Sequence, residues 1–182
     1  MDSLGIGQAH ICGLSLGGVI AIAMHAAAAD RCKSLTLADS FAVHPDGRGI
    51  YERSLAGSCN LRAMAEARVE FLLAAEALDD VRREVVETMA KIDPAAYRIG
   101  AEAVWLADQT GRAAKIDVPT LVIVGEEDRA TPRGLSKELA ALIAGAKLET
   151  IPGAGHITNL ERPAEFDRVV EEFIMTVEGD PQ

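Results

Sequence analysis

Ser15 stands in Gly13-Leu14-Ser15-Leu16-Gly17, the spacing G-x-S-x-G, between a short apolar run and an alanine-rich one. A sharp strand-to-helix turn at such a place strains the serine backbone, projects the hydroxyl out of the sheet and uses the glycines for close backbone passage. The N–H of Leu16, opening the helix that follows, is then placed to face a developing oxyanion. A hydroxyl alone is a poor nucleophile and needs a base and an orienting acid. Of the four histidines, His156 follows a strand-like run in the loop Pro152-Gly153-Ala154-Gly155-His156. His25 lies in the alanine-rich run, His44 in a turn cluster and His10 at the far end of the strand leading to Ser15, so these three read as structural. For the acid, Asp128 in Gly125-Glu126-Glu127-Asp128-Arg129 follows another strand-like run, and Asp39, after a further one, is a second candidate. Glu126 and Glu127 read as solvated loop charges. The chemistry available to Ser15, His156 and Asp128 is acyl transfer to water: attack by the serine, proton shuttling by the histidine, and tautomer control by the carboxylate.

These residues need elements that carry them to one place. Short apolar or β-branched runs predict strands at 10–13, 34–38, 120–124 and 147–151. A helix over 16–29 carries few polar positions and should be buried on most sides. Thr131 reads as a helix N-cap with Pro132 at the first helical position, and Gly145 as a C-terminal glycine. A last helix begins at Pro163, where Phe166, Val169, Val170, Phe173, Ile174 and Val177 form one apolar stripe. From 51 to 109 the periodicity is helical throughout, with Asp93-Pro94 ending one helix and starting another. Strands alternating with helices predict an α/β fold: a parallel sheet covered on both faces, with an all-helical insertion between its second and third visible strands. Ser15, Asp39, Asp128 and His156 then all follow strands, at the carboxyl edge where such sheets bind ligands.

The chain has 182 residues, enough for one domain with a real core. Its formal net charge of −10 repels phosphate backbones, so nucleic acid is not an expected partner. Three cysteines, Cys12, Cys32 and Cys59, lack metal-ligand spacing and suit a reducing cytoplasm. No metal, phosphate-loop or dinucleotide motif is evident, so no cofactor is expected. Residues 11–29 carry no Asp, Glu, Lys or Arg, yet glycines interrupt the run, alanine is weakly apolar and the start is acidic. A membrane span or secretory signal is therefore not expected.

The order Ser15, Asp128, His156 and four stretches of sequence resemble the α/β-hydrolase superfamily. The stretches are His-Ile-Cys-Gly-Leu-Ser-Leu-Gly-Gly (10–18), Pro-Thr-Leu-Val-Ile-Val-Gly-Glu-Glu-Asp-Arg-Ala-Thr-Pro (119–132), Ile-Pro-Gly-Ala-Gly-His (151–156) and Asn-Leu-Glu-Arg-Pro-Ala-Glu-Phe (159–166). Cys-Gly-Leu-Ser before a double glycine and His-Ile-Thr-Asn-Leu-Glu-Arg-Pro are most similar to the 3-oxoadipate enol-lactonase group, and are shared with esterases, cofactor-free haloperoxidase-like enzymes and carbon–carbon bond hydrolases. The resemblance implies a three-layer α/β-hydrolase-like fold with core segments 1–46 and 116–182 around a helical cap at 47–115. It also implies hydrolysis of a small-molecule carboxylic ester or lactone. In that family the serine follows the fifth strand of eight, which places about 70–90 residues upstream of it. This chain resembles the carboxyl-terminal part, with a truncated sheet, and residues 1–7 resemble the tail of the preceding helix. The loop giving the second oxyanion N–H has no counterpart, so weak turnover, or a non-catalytic interaction module, is the alternative expectation. Strand 10–13 should then lie at a sheet edge and favour self-association.

Overall fold

The computed structural model describes residues 1–179. Four parallel strands, β1 (Ala9–Leu14), β2 (Cys32–Ala38), β3 (Thr120–Gly125) and β4 (Lys147–Ile151), lie in the order β1-β2-β3-β4. Parallel neighbours require crossovers, and each is helical. α1 (Leu16–Ala27) joins β1 to β2, and α7 (Arg133–Leu142) joins β3 to β4. Between β2 and β3 run α2 (Gly47–Gly57), α3 (Leu61–Leu72), α4 (Asp79–Ala90), α5 (Pro94–Trp105) and α6 (Thr110–Ala113). The short α8 (Thr158–Glu161) and the long α9 (Pro163–Glu178) close the described chain. This is an α/β fold built on a parallel sheet.

Side-chain alternation along the strands sorts two cores. On one face Leu35, Leu37 and Val122 pack with Ala21 and Ile22 of α1 and Leu139 of α7. On the other, Leu121, Ile123 and Ile151 receive Phe166, Val169 and Phe173 of α9. The layers are thus α1 and α7, the sheet, and α9. β3 is buried throughout and β2 is buried except at Lys33, which explains the apolar Leu121–Val124 run and the inward Leu35 and Leu37 of β2. The insertion has its own core, in which Val69, Leu72 and Leu73 of the α3 region pack with Val85 of α4 and with Ala130 from the loop after β3.

Several boundaries differ from expectation. α1 stops at Ala27 rather than at 29, because the chain extends at Ala28 (φ −156) and tightens into a 3-10 turn, Ala29–Arg31. β2 accordingly starts at Cys32, two residues early. α7 begins at Arg133 with Pro132 as the flanking non-helical residue, so Thr131 does not cap it. Residues 1–7 form one 3-10 turn, Asp2–Leu4, rather than a helical tail. No helix among the described residues is long and apolar enough to cross a membrane, and α1 ends well short of that length.

Candidate active site

In a parallel sheet every strand ends at the same edge, so the residues after β1, β2, β3 and the β4 loop converge. Ser15 joins β1 directly to α1 and has φ 52, ψ −115, a conformation a non-glycine residue adopts only when its surroundings impose it. Three contacts impose it. The Ser15 N–H donates to the Ala38 carbonyl at 2.8 Å, the Ser40 hydroxyl donates to the Ser15 carbonyl at 3.0 Å, and the N–H of Gly18 donates to that same carbonyl at 2.9 Å. The glycines are not equivalent. A Cβ on Gly13 would overlap the Gly17 carbonyl and one on Gly18 would overlap the Ser40 side chain, whereas Gly17 faces open space. Leu16 is the first residue of α1, so its N–H has no carbonyl one turn back to pair with.

His156 Nε2 lies 3.0 Å from Ser15 Oγ, and its Nδ1 lies 2.9 Å from Asp128 Oδ2. A carboxylate only accepts, which assigns the ring proton to Nδ1 and leaves Nε2 free to accept from the Ser15 hydroxyl. Asp128 is itself held by four donors: His156, the backbone N–H groups of Ala130 and Thr131 at 2.8 Å each, and the Thr131 hydroxyl at 2.6 Å. Thr131 Oγ1 also lies 3.2 Å from His156 Nδ1, so this threonine belongs to the site and not to the helix cap. Burial alone would raise the Asp128 pKa; the bond and charge of His156, with those of Thr131, outweigh it and hold the carboxyl below its usual range. Burial likewise opposes charging His156, but the bond and charge of Asp128, and the charge of Asp39, lift its pKa above the ordinary 6.5.

The remaining candidates lie elsewhere. Asp39 is fully buried at φ 47, and its carboxylate accepts from the Gly125 N–H at 3.0 Å and the Thr158 hydroxyl at 2.6 Å rather than from His156. His10 bonds Ser34 and Glu178, His25 bonds Asp117, and the His44 ring packs edge-on against Phe41 and Trp105. Exposed Glu126 and Glu127 accept from the backbone at Gly153 and Ala75.

Sequence reasoning missed two positioning groups. Thr131 was detectable in its spacing, three residues after Asp128, where a side chain can close a turn on its own backbone. Glu161 was not. Its buried carboxylate accepts from Ala74 N–H at 2.7 Å, Gly155 N–H at 3.0 Å and Ile157 N–H at 3.2 Å, tying the segment after α3 to the loop of His156. The His156 N–H donates to Leu72 O at 2.7 Å beside it. Among the described residues no cluster of three or more His, Cys, Asp or Glu side chains could hold a metal ion.

The sequence pattern described as "Alpha/beta hydrolase family" matches residues 1–169. The chain is similar to 3-oxoadipate enol-lactonase 1 of Acinetobacter baylyi, at 27% identity over 98% of this chain and 68% of that protein. It is similar to the 2-hydroxymuconate semialdehyde hydrolase of Pseudomonas putida at 32% identity, over 96% of this chain and 65% of that one. Among solved structures, an enol-lactonase from Burkholderia xenovorans LB400 superposes with a TM-score of 0.89 at 30% identity, covering 96% of this chain and 68% of its own. The chain therefore spans about two thirds of the length of these relatives.

Proposed function

The chain belongs to the alpha/beta hydrolase family, and from that premise we propose that it hydrolyses a carboxylic ester or lactone through an acyl-serine intermediate, with a 3-oxoadipate enol-lactone-like compound as the leading substrate candidate. One observation carries the reading: the unbroken hydrogen-bonded chain from Ser15 Oγ through His156 to Asp128. In the proposed cycle Ser15 Oγ attacks the carbonyl carbon as its proton passes to His156 Nε2. The tetrahedral oxyanion faces the Leu16 N–H. Collapse breaks the bond to the leaving oxygen, which takes the proton from Nε2; in a lactone that oxygen stays in the same molecule. Water then gives a proton to Nε2 and its oxygen attacks the acyl carbon, and Ser15 leaves with the proton returned. Asp128 keeps Nδ1 protonated and offsets the imidazolium charge in both halves. This cycle uses no cofactor.

Residues 47–115 serve in this proposal as a cap, walling a cavity of about 300 Å³ that contains Ser15 and His156. Its lining is mostly apolar, from Met89 and Ile92 to Val104 and Trp105, which suits a small organic substrate. Free thiols at Cys12, Cys32 and Cys59 support a reducing, cytoplasmic setting. The similarity to the enol-lactonases supports the substrate candidate, and the semialdehyde hydrolase similarity keeps the wider class open. A fluorophosphonate probe tests the core of the reading: covalent labelling at Ser15, lost in His156→Ala, is expected. A second reading, an interaction module without turnover, is favoured by the outer edge of β1, which among the described residues pairs with β2 alone. An unlabelled Ser15 would leave that reading standing.

A further inference from the structure

The cavity that holds Ser15 and His156, about 300 Å³, adjoins a second of about 490 Å³. Arg68, Trp105 and Ala130 line both, so these residues form the boundary. They differ in what they can hold back. Ala130 offers a methyl group. Arg68 is a long arm on α3 whose guanidinium donates to the Tyr97 hydroxyl at 3.3 Å. Trp105 supplies the bulk, and it is clamped. Its indole stacks on the Phe41 ring, with centroids 5.7 Å apart and planes 16° from parallel, and Phe41 is itself fully buried. The His44 ring meets the indole edge-on at 5.5 Å and Phe41 edge-on at 5.4 Å. His44 is fixed in turn, because its Nδ1 accepts from the Asp46 N–H at 3.1 Å. The backbone is pinned as well: a Cβ on Gly47 would lie 2.0 Å from the Trp105 carbonyl oxygen, so the start of α2 sits directly on the end of α5. Stacked and edge-on ring contacts both add to the cost of turning the indole away. Beyond this boundary both chambers have apolar walls, with Leu72, Ile92 and Val104 in one and Ile50, Met64 and Phe71 in the other. A hydrocarbon arm would be stabilised by burial in either.

We infer that Trp105 determines specificity by partition: it confines the acyl arm of the substrate to the chamber of Ser15, shuts it out of the second, and so limits turnover to short acyl groups. This rests on the hydrolase reading and gives its substrate class an upper size.

The test compares p-nitrophenyl acetate, butanoate, hexanoate and octanoate, which share a leaving group and differ in arm length. In the unmodified chain each methylene buried short of the limit should raise kcat/KM about fourfold. Past the limit the arm meets the indole, and octanoate should fall at least about tenfold below butanoate. In Trp105→Ala octanoate should overtake butanoate while acetate stays essentially unchanged. In Trp105→Phe, whose ring can keep the stack on Phe41, the limit should persist. A Trp105→Ala profile of unchanged shape, or a loss shared equally by every ester, overturns the inference. A second readout needs neither turnover nor a change at Trp105, the only tryptophan of the chain. In the Ser15→Ala protein, pentan-2-one should shift the Trp105 emission to shorter wavelength as its arm replaces water against the ring. The longer nonan-2-one should bind no tighter, without the gain of about fourfold per methylene that full burial would give. Emission that stays put at saturation, or nonan-2-one binding tighter by that factor per methylene, also overturns the inference. Ketone binding limited in this way with no turnover of any ester refutes the hydrolase reading and supports the partition. Ester turnover with a profile indifferent to Trp105 does the reverse.

Discussion

The backbone of Ser15 is held at positive φ by bonds from its own N–H and to its own carbonyl, so the side chain can be removed without releasing the turn. If the chain turns over an ester, Ser15→Ala should cut kcat by roughly 10⁴–10⁶ while leaving the melting temperature nearly unchanged. His156 must be neutral to accept the serine proton, and its pKa lies above 6.5 because Asp128 stabilises the imidazolium. The acid limb of kcat/KM should therefore fall above pH 6.5, and Asp128→Asn should move that limb to lower pH and cost roughly 10⁴ in rate. Asp39 makes a separate prediction. Burial pushes its carboxyl up to about 7, with Asp128 adding and with His156, Thr158 and the Gly125 N–H opposing. Unfolded, it ionises near 3.8, so between about 4 and 7 the folded state binds the extra proton and this residue's contribution to stability falls as pH rises. Urea melts across that range should show the decline, and Asp39→Asn should remove its share of the slope. Both aspartates follow strands, and sequence left them as rival partners for His156. The rivalry ends in three dimensions, where the Asp39 oxygens are taken by Gly125 and Thr158.

At the scale of elements, the turn from β1 into α1 separates two glycines that look alike in the motif. Gly13→Ala drives a methyl into the Gly17 backbone and should destabilise by about 1–3 kcal/mol, whereas Gly17→Ala meets open space and should gain up to about 1 kcal/mol of helix propensity. Chemical denaturation of the pair checks the contrast. The elements themselves were largely legible, because β2, β3 and α9 carry local patterns: short apolar or β-branched runs for the buried strands, and a 3.6-residue stripe facing one side of the helix. Departures arose where a side chain served a distant partner. Thr131 has the chemistry of a cap, but its hydroxyl is committed to Asp128, and α7 starts later. Arg68 and Glu161 carry no local signature, since what they face is set by α3 and α8 meeting loops far away in the chain.

For the whole molecule, β1 is an outer strand of the sheet, carrying half-buried Ile11 and exposed Cys12 with no lysine or proline to blunt it. Ile20 on the adjoining helix is 56% exposed, and Leu4 is 75% exposed. We propose that two copies associate along this edge. The charge of −10 opposes them, but salt screens it beyond about 8 Å and leaves short-range burial in command. Light scattering at tens of micromolar should report a dimer or larger species, and a stable monomer there would count against the proposal. The Glu161 carboxylate has a consequence on another axis, that of heat. Because one side chain gathers the N–H groups of Ala74, Gly155 and Ile157, it latches the insertion to the histidine loop beside the bond from the His156 backbone N–H to Leu72 O, whereas the sheet is secured by two separate cores. Those three amides should exchange with deuterium as one cooperative unit, faster than the interior of β3. On warming, the latch should open first, so that fluorophosphonate labelling of Ser15 fades several degrees before the strands melt.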